Sequence, residues 1–327
     1  MKHLHKKNTT NAYMGWIVLV LMAVMLAVIW FILPVKKRGK ETTKDKKHRV
    51  VITGGSQGIG LALAHEFVRN GTCCHVTLLA RTKSKLEEAQ KELLKVSNDV
   101  IVDFYPVDVT NPKAIQKVAE EICKSSSTTP DMLFNVAGTA ISRSFLDADI
   151  GDFSHLMNLN YLGSVYTTKA FLPFMLAAHH KRDRINIMFT SSAAGQTGVY
   201  GYSAYTPTKF ALRGFAECLQ MEHARDNVHI QVCFPPDTET PGYTIEQIGK
   251  PKETMLISEV AGLYKPEQYV LYTNCFSVHV NHSPFLQFVL NHDFVCIEWR
   301  KRWHTVRCCP IHHFLYISVS KVGCWLP

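Results

Sequence analysis

Ser192, Tyr205 and Lys209 have the residue types and the spacing for moving a proton at a carbonyl or hydroxyl oxygen. Tyr205 and Lys209 are four apart, so on a helix they share one face. A free tyrosine titrates near pH ~10, and a neighbouring cation lowers that value. The pair therefore predicts a phenol tuned toward neutral pH, able to give or take a proton. Ser192, thirteen residues before Tyr205, is expected at the end of the preceding strand, where its hydroxyl can bond a substrate oxygen. Ser191 offers a second hydroxyl, but the spacing favours Ser192. A Tyr-x-x-x-Lys pair alone also describes an ordinary exposed helix face, so the reading depends on what precedes it.

What precedes it is an alternation of strands and helices. Residues 50–52 read as a short buried strand that runs into Thr53, Gly54, Gly55, Ser56, Gln57, Gly58, Ile59 and Gly60, followed by a helical pattern through Val68. Glycines at such a turn let the backbone approach a pyrophosphate, and the helix N-terminus offers amides to it. Further strands are predicted over 75–80, 100–107, 131–134, 185–190 and 228–234. The intervening helices are predicted over 84–96, 112–124, 150–178 and 203–224. Short connections between alternating elements predict an α/β fold, a Rossmann-type doubly wound parallel sheet.

Ligands of such sheets bind beyond the carboxyl ends of the strands. Every motif falls at such an end: the glycine turn, Arg81, Asp108, the run Asn135, Val136, Ala137 and Gly138, then Ser192, and finally residues 235–240. Many dinucleotide sites carry an acid after the second strand to bind a ribose 2′-hydroxyl. Arg81 stands there instead, with Lys83 and Lys85 close behind. A cationic cluster suits a 2′-phosphate and predicts NADPH over NADH; the alternative is a solvated helix start.

The net charge of +9 is local. Residues 1–12 carry +3 and residues 35–49 carry +6, so the remainder is neutral on balance. These patches flank residues 13–33 and do not form the clustered surface that a nucleic acid needs, so no nucleic-acid partner is expected. Residues 13–33 are 21 residues without a charge, bordered by Tyr13 and Trp16 at one end and Trp30 and Phe31 at the other. That is enough to cross a bilayer as a helix with interfacial aromatics. A cleaved signal peptide is the competing reading, but the run is long for one and no small-x-small site follows it. An uncleaved transmembrane helix is therefore expected, with residues 1–12 in the lumen and the rest of the chain in the cytosol, because more Lys and Arg follow the span than precede it. Residues 34–48 read as a basic tether. Ten cysteines show no spaced framework and suit a reduced compartment. No metal site is expected, since Cys308, Cys309, His312 and His313 are adjacent pairs without the usual ligand spacing.

With these residues assembled, the chain resembles the short-chain dehydrogenase/reductases. The resemblance rests on T-G-x-x-x-G-I-G at 53–60, Asp108 and Val109, the variant N-x-A-G at 135–138, Asn160, Ser192 and Y-x-x-x-K at 205–209, and it covers about residues 48–268. It implies a membrane-anchored, NADPH-dependent reductase of the endoplasmic reticulum. The implied substrate is a long-chain lipid ketone, the 3-keto group of a sphingoid base. By resemblance Tyr205 protonates the developing alkoxide and Ser192 bonds that oxygen. Lys209 lowers the tyrosine pKa and holds the nicotinamide ribose, and Asn160 supports a water relay. The implied cofactor contacts are Gly54, Ser56, Gln57, Gly58, Ile59, Gly60, Arg81, Lys85, Asp108, Asn135, Ala137, Gly138, Pro235, Thr238 and Thr240, besides Tyr205 and Lys209.

Steroid or retinoid substrates stay open as an alternative, and so do a non-catalytic chain and a homo-oligomer. Val136 replaces the family's usual second Asn. After Gln268 the resemblance stops. Residues 269–327 hold five of the ten cysteines, six of the sixteen histidines and three of the five tryptophans, without helical periodicity. They are expected to be a divergent tail, foreign to the family, that leaves the edge of the sixth strand uncovered.

Overall fold

The computed structural model describes residues 48–124, 129–178, 184–273 and 295–298. The expected anchor over 13–33 and most of the tether lie outside the described residues. Among the described residues no helix is long and apolar enough to cross a membrane.

Six parallel strands form the sheet: β1 (His48–Thr53), β2 (Cys73–Ala80), β3 (Ile101–Pro106), β4 (Met132–Asn135), β5 (Ile185–Thr190) and β6 (Val228–Phe234). Their spatial order is β3-β2-β1-β4-β5-β6. The central strands read as apolar runs without alternation because helices cover both faces of the sheet. In β5 all six residues are buried. The reversal of direction falls between β1 and β4, and a ligand crevice opens at such a switch point.

Helices α1 (Gly58–Arg69) and α2 (Lys83–Val96) pack on one face of the sheet. Leu63, Phe67 and Leu86 meet Ile52, Leu78 and Phe134 there, and the rings of Phe67 and Phe134 cross edge-on at 5.3 Å. Helices α3 (Pro112–Ile122), α5 (Gly163–Ala178) and α6 (Thr206–Glu222) cover the other face, where Ile115, Phe171 and Leu212 lie against Leu133, Ile187 and Phe189. Full burial of each such side chain contributes about 1.5–3 kcal/mol. Local signals set the helix starts. Asn111 caps α3 by accepting from the Ala114 amide at 3.1 Å, and Pro112 opens the helix.

The expected single helix over 150–178 is three pieces: α4 (Ile150–Leu156), a π-helical turn (Met157–Leu162) and α5. A π turn widens the helix locally and often marks a functional position. Here it carries Asn160.

Beyond β6 come α7 (Pro241–Glu246), α8 (Lys252–Ala261) and α9 (Pro266–Thr273). Helix α9 reaches past Gln268 and buries Val270 among the α1 residues Ala62 and Phe67. A seventh strand, β7 (Val295–Glu298), then pairs antiparallel with β6, from Phe234 opposite Val295 to Gln231 opposite Glu298. The expectation of an uncovered β6 edge is therefore corrected. A backbone ladder needs no side-chain periodicity to pair, so nothing in the local sequence announced it.

Candidate active site

The glycine turn after β1 is shaped by close contacts. Gly54 has φ +68, and a Cβ there would lie 3.0 Å from the backbone of Ala137. A Cβ on Gly60 would lie 2.3 Å from the Gly54 carbonyl oxygen, so the start of α1 closes onto the turn only without a side chain. Gln57 stands at the N-cap of α1 in extended geometry and makes no side-chain cap bond. The first-turn amides of α1 therefore lack a side-chain acceptor, as a phosphate site requires. Thr53 ties the turn to the next strand end, accepting from the amides of Val136 at 3.0 Å and Ala137 at 3.1 Å.

A cleft of about 280 Å³ runs over this turn. Gly54, Ser56, Gln57, Gly58, Ile59 and Gly60 form its floor. Arg81, Thr82, Lys85 and Asp108 bound one part, Ala137, Gly138 and Leu159 another, and Thr240, Pro241 and Gly242 overhang it. Arg81 and Lys85 are exposed, and the Lys85 ammonium donates to the Gln57 side chain at 2.9 Å. Lys83 turns away to Glu87 at 3.7 Å. Burial pushes the Asp108 carboxyl up, but bonds from the Thr110 amide and hydroxyl and the Arg81 charge outweigh it, so its pKa falls below the usual range. A cleft with free amides, a glycine floor and two cations at its rim fits a dinucleotide bearing an additional phosphate.

Three residues expected to contact a cofactor are not among those lining this cleft. Asn135 is buried and donates to the Thr168 hydroxyl at 3.2 Å, which fastens β4 to α5. The Pro235 carbonyl accepts from Ala193 at 2.9 Å. Thr238 is buried and donates to the Pro236 carbonyl at 2.8 Å. A strand-end position in the sequence does not reveal which way a side chain turns. Leu79, Val107 and Pro241 do line the cleft and carried no distinguishing motif.

At the inner end of the cleft, the Cβ position of Gly138 is 2.9 Å from Asn160 Oδ1 and 3.5 Å from the Lys209 ammonium. Asn160 is buried, and its amide is fully engaged. Oδ1 accepts from the Thr139 amide at 2.9 Å, and Nδ2 donates to the Thr139 carbonyl at 2.9 Å and the Thr208 hydroxyl at 3.1 Å. Both N–H bonds are thus taken by protein atoms. The side chain locks the loop after β4 to α6.

Ser192 follows β5 and caps the 3-10 turn Ala193–Gly195, accepting from the Ala194 amide at 3.2 Å. Ser191 is buried and donates to the Lys209 carbonyl at 2.9 Å, which leaves Ser192 as the hydroxyl beside Tyr205. Tyr205 sits at the N-cap of α6, one residue before the helix rather than inside it. Lys209 is buried in the first turn, its ammonium 5.6 Å from the centroid of the Tyr205 ring and 2.9 Å from the Thr190 carbonyl, to which it donates.

The expected lowering of the tyrosine pKa is corrected. Burial pushes the Tyr205 hydroxyl up, the Ser192 hydrogen bond lowers it only in part, and Glu246 and Asp237 raise it further. Burial pushes the Lys209 ammonium down to about 8. The resting pair is a neutral phenol beside a cation bonded to a carbonyl, which suits Tyr205 to donating a proton. Among the described residues no His, Cys, Asp or Glu cluster could hold a metal ion.

Sequence reasoning also missed a polar cluster behind the tyrosine. The Tyr202 hydroxyl donates to Glu246, and the Tyr202 and Tyr205 rings lie 5.4 Å apart. Lys250 bonds the same Glu246 at 3.0 Å.

The short chain dehydrogenase family matches residues 48–247. The chain is 43% identical over 221 residues to the 3-dehydrosphinganine reductase of Danio rerio, covering 67% of this chain and 65% of that protein. It is 35% identical over 254 residues to the 3-ketodihydrosphingosine reductase of Dictyostelium discoideum, covering 74% of each. The match thus spans about 65% of the length of the vertebrate relatives. Among solved structures, L-sorbose reductase from Gluconobacter frateurii, complexed with NADPH and L-sorbose, is similar with a TM-score of 0.60 and 26% identity, over 70% of this chain and 88% of that one. An alcohol dehydrogenase from Thermococcus sibiricus, complexed with 5-hydroxy-NADP, shares the fold with a TM-score of 0.60 and 23% identity, over 71% of this chain and 91% of that one.

Proposed function

The chain belongs to the short-chain dehydrogenase/reductase family, and from that premise we propose that it reduces the 3-keto group of 3-ketodihydrosphingosine to dihydrosphingosine, using NADPH. The observation that carries the reading is the meeting of Ser192, Tyr205 and Lys209 beside Gly138, which lines a glycine-rich cleft with Arg81 and Lys85 at its rim. The names of the relatives supply the substrate, and the NADPH complex of the sorbose reductase supports the cofactor.

When bound, NADPH supplies a hydride to the carbonyl carbon. The chain does the rest. The uncapped start of α1 would hold the pyrophosphate, and Arg81 and Lys85 would hold the 2′-phosphate. Ser192 donates a hydrogen bond to the carbonyl oxygen and polarises it. Tyr205, a neutral phenol near neutral pH whose pKa burial raises further, gives that oxygen its proton as negative charge develops there. Lys209 then faces a phenolate, and its charge stabilises that state more than the resting one. Asn160 keeps Gly138 and Lys209 in register by holding Thr139 and Thr208.

NADPH carrying deuterium at both C4 positions of its nicotinamide tests this balance of atoms. The product should carry one deuterium on C3 and no label on its oxygen. A product without deuterium at C3 would overturn the reading. We also place the domain on the cytosolic face of the endoplasmic reticulum membrane, held by residues 13–33. Protease added to sealed microsomes should digest it without detergent, and full protection would oppose that placement.

A further inference from the structure

We propose that Lys250 is a positioning residue for the ketone reduction: it gathers Glu246 and Asp237 behind Tyr202 and so holds residues 237–250 in place beside Tyr205. The proposal rests on reading Tyr205 as the proton donor.

The Lys250 side chain has no exposed surface. Its ammonium lies 3.0 Å from Glu246 Oε1 and 3.8 Å from Asp237 Oδ2. It also lies 5.1 Å from the ring centroid of Tyr243 and 5.8 Å from that of Tyr202. An ammonium is removed from water only where opposite charge and hydrogen bonds compensate it. Two carboxylates and two aromatic faces do so here. The Tyr202 hydroxyl donates to the same Glu246 oxygen that Lys250 holds. Tyr202 is itself buried, and its ring is 5.4 Å from that of Tyr205. A continuous set of contacts therefore runs from Lys250 through Glu246 and Tyr202 to the reacting phenol. Glu246 and Asp237 also reach Tyr205 through their charge, which pushes its hydroxyl up.

The cofactor end of the same segment is fastened without Lys250. The Glu239 amide donates to the Tyr264 carbonyl at 2.8 Å, and the Tyr264 amide to the Asp237 carbonyl at 2.9 Å. Thr240 caps α7 through the Tyr243 amide at 3.1 Å. Thr240, Pro241 and Gly242, which overhang the cleft, are thus held by a second set of bonds. Loss of the Lys250 clamp should loosen the part of the segment beside Tyr205 and spare the part over the cofactor cleft. A merely structural role would weaken both alike.

The test uses the full chain with Lys250→Met and Glu246→Gln. Each should lower kcat/KM for 3-ketodihydrosphingosine at least ~10-fold, towards the ~10²-fold that misplacing a reacting group can cost, while the Kd for NADPH changes by less than about threefold. Amide hydrogen exchange across residues 245–250 reads the clamp without turnover, and it should quicken in both variants. If Lys250→Met does not fold, Glu246→Gln, which keeps the shape of the side chain, decides alone. Unchanged exchange with unchanged ketone kinetics would overturn the proposal. So would NADPH affinity that falls in step with kcat/KM. A wild-type chain inactive on the ketone would instead remove the reading of Tyr205, and the exchange result would still decide whether Lys250 holds this segment.

Discussion

The Lys209 ammonium faces the ring of Tyr205 at 5.6 Å while donating to the Thr190 carbonyl at the end of β5. One buried cation thus joins the strand that delivers Ser192 to the helix that begins just after Tyr205. Burial has opposite effects on the two titrating groups, raising the phenol and lowering the ammonium.

That opposition gives a pH signature in the cofactor-free protein. The folded chain holds Lys209 near a pKa of about 8, against ~10.4 for a free lysine. Between those values the unfolded chain binds the proton that the folded chain has released, so stability rises with pH. Tyr205 acts in the other direction only above ~10, where the unfolded tyrosine ionises first. Lys209→Met removes the first effect. The stability of wild type minus that of the variant, from denaturant midpoints, should rise by roughly 2 kcal/mol between pH ~8 and ~10. A difference that stays flat across that window would contradict the burial of a titrating Lys209.

Arg81→Asp should turn cofactor preference toward NADH. The substitution replaces a phosphate partner with an acceptor for a ribose hydroxyl and repels the phosphate. Lys85 remains at the rim, so a shift of at least ~10-fold in the ratio of the two kcat/KM values is expected rather than complete reversal. Steady-state kinetics with each cofactor measures it, and an unchanged ratio would show that Arg81 does not read that phosphate.

Asn160→Ala removes three hydrogen bonds and leaves the amide and carbonyl of Thr139 without that partner. Each orphaned group costs about 1–3 kcal/mol. Thermal unfolding should therefore show a clear loss of stability, and turnover should fall because Gly138 and Lys209 lose their common brace. A variant as stable as wild type would mean that the loop after β4 is held by other contacts.

The legible parts of the molecule were those whose chemistry is local in sequence. The glycine turn at 53–60 sits between a buried run and a helical run, and its close approach to Ala137 tolerates no side chain at Gly54, so the residue types disclose the geometry. The Tyr205 and Lys209 spacing is equally local. What escaped depends on three-dimensional closure. Tyr202 and Glu246 are 44 residues apart and meet only once the chain beyond β6 folds back. The π turn carrying Asn160 keeps an ordinary helical residue pattern, so nothing in its composition announces the widened turn. The upward shift of the Tyr205 hydroxyl comes first from burial, which spacing alone cannot reveal, so the net direction is opposite to the lowering expected from a cationic neighbour. β7 pairs with β6 through backbone groups, whose register leaves no mark in side-chain type.

The most direct measurement is a single-turnover reduction of 3-ketodihydrosphingosine by NADPH, with wild-type chain and Tyr205→Phe compared side by side and NADPH binding measured in the same samples. Phenylalanine keeps the ring that faces Lys209 and Tyr202 and removes only the proton donor. The account predicts rapid formation of dihydrosphingosine by wild type, a rate at least ~10²-fold lower for the variant, and NADPH affinity that is nearly the same in both. Reduction by the variant at the wild-type rate would contradict it.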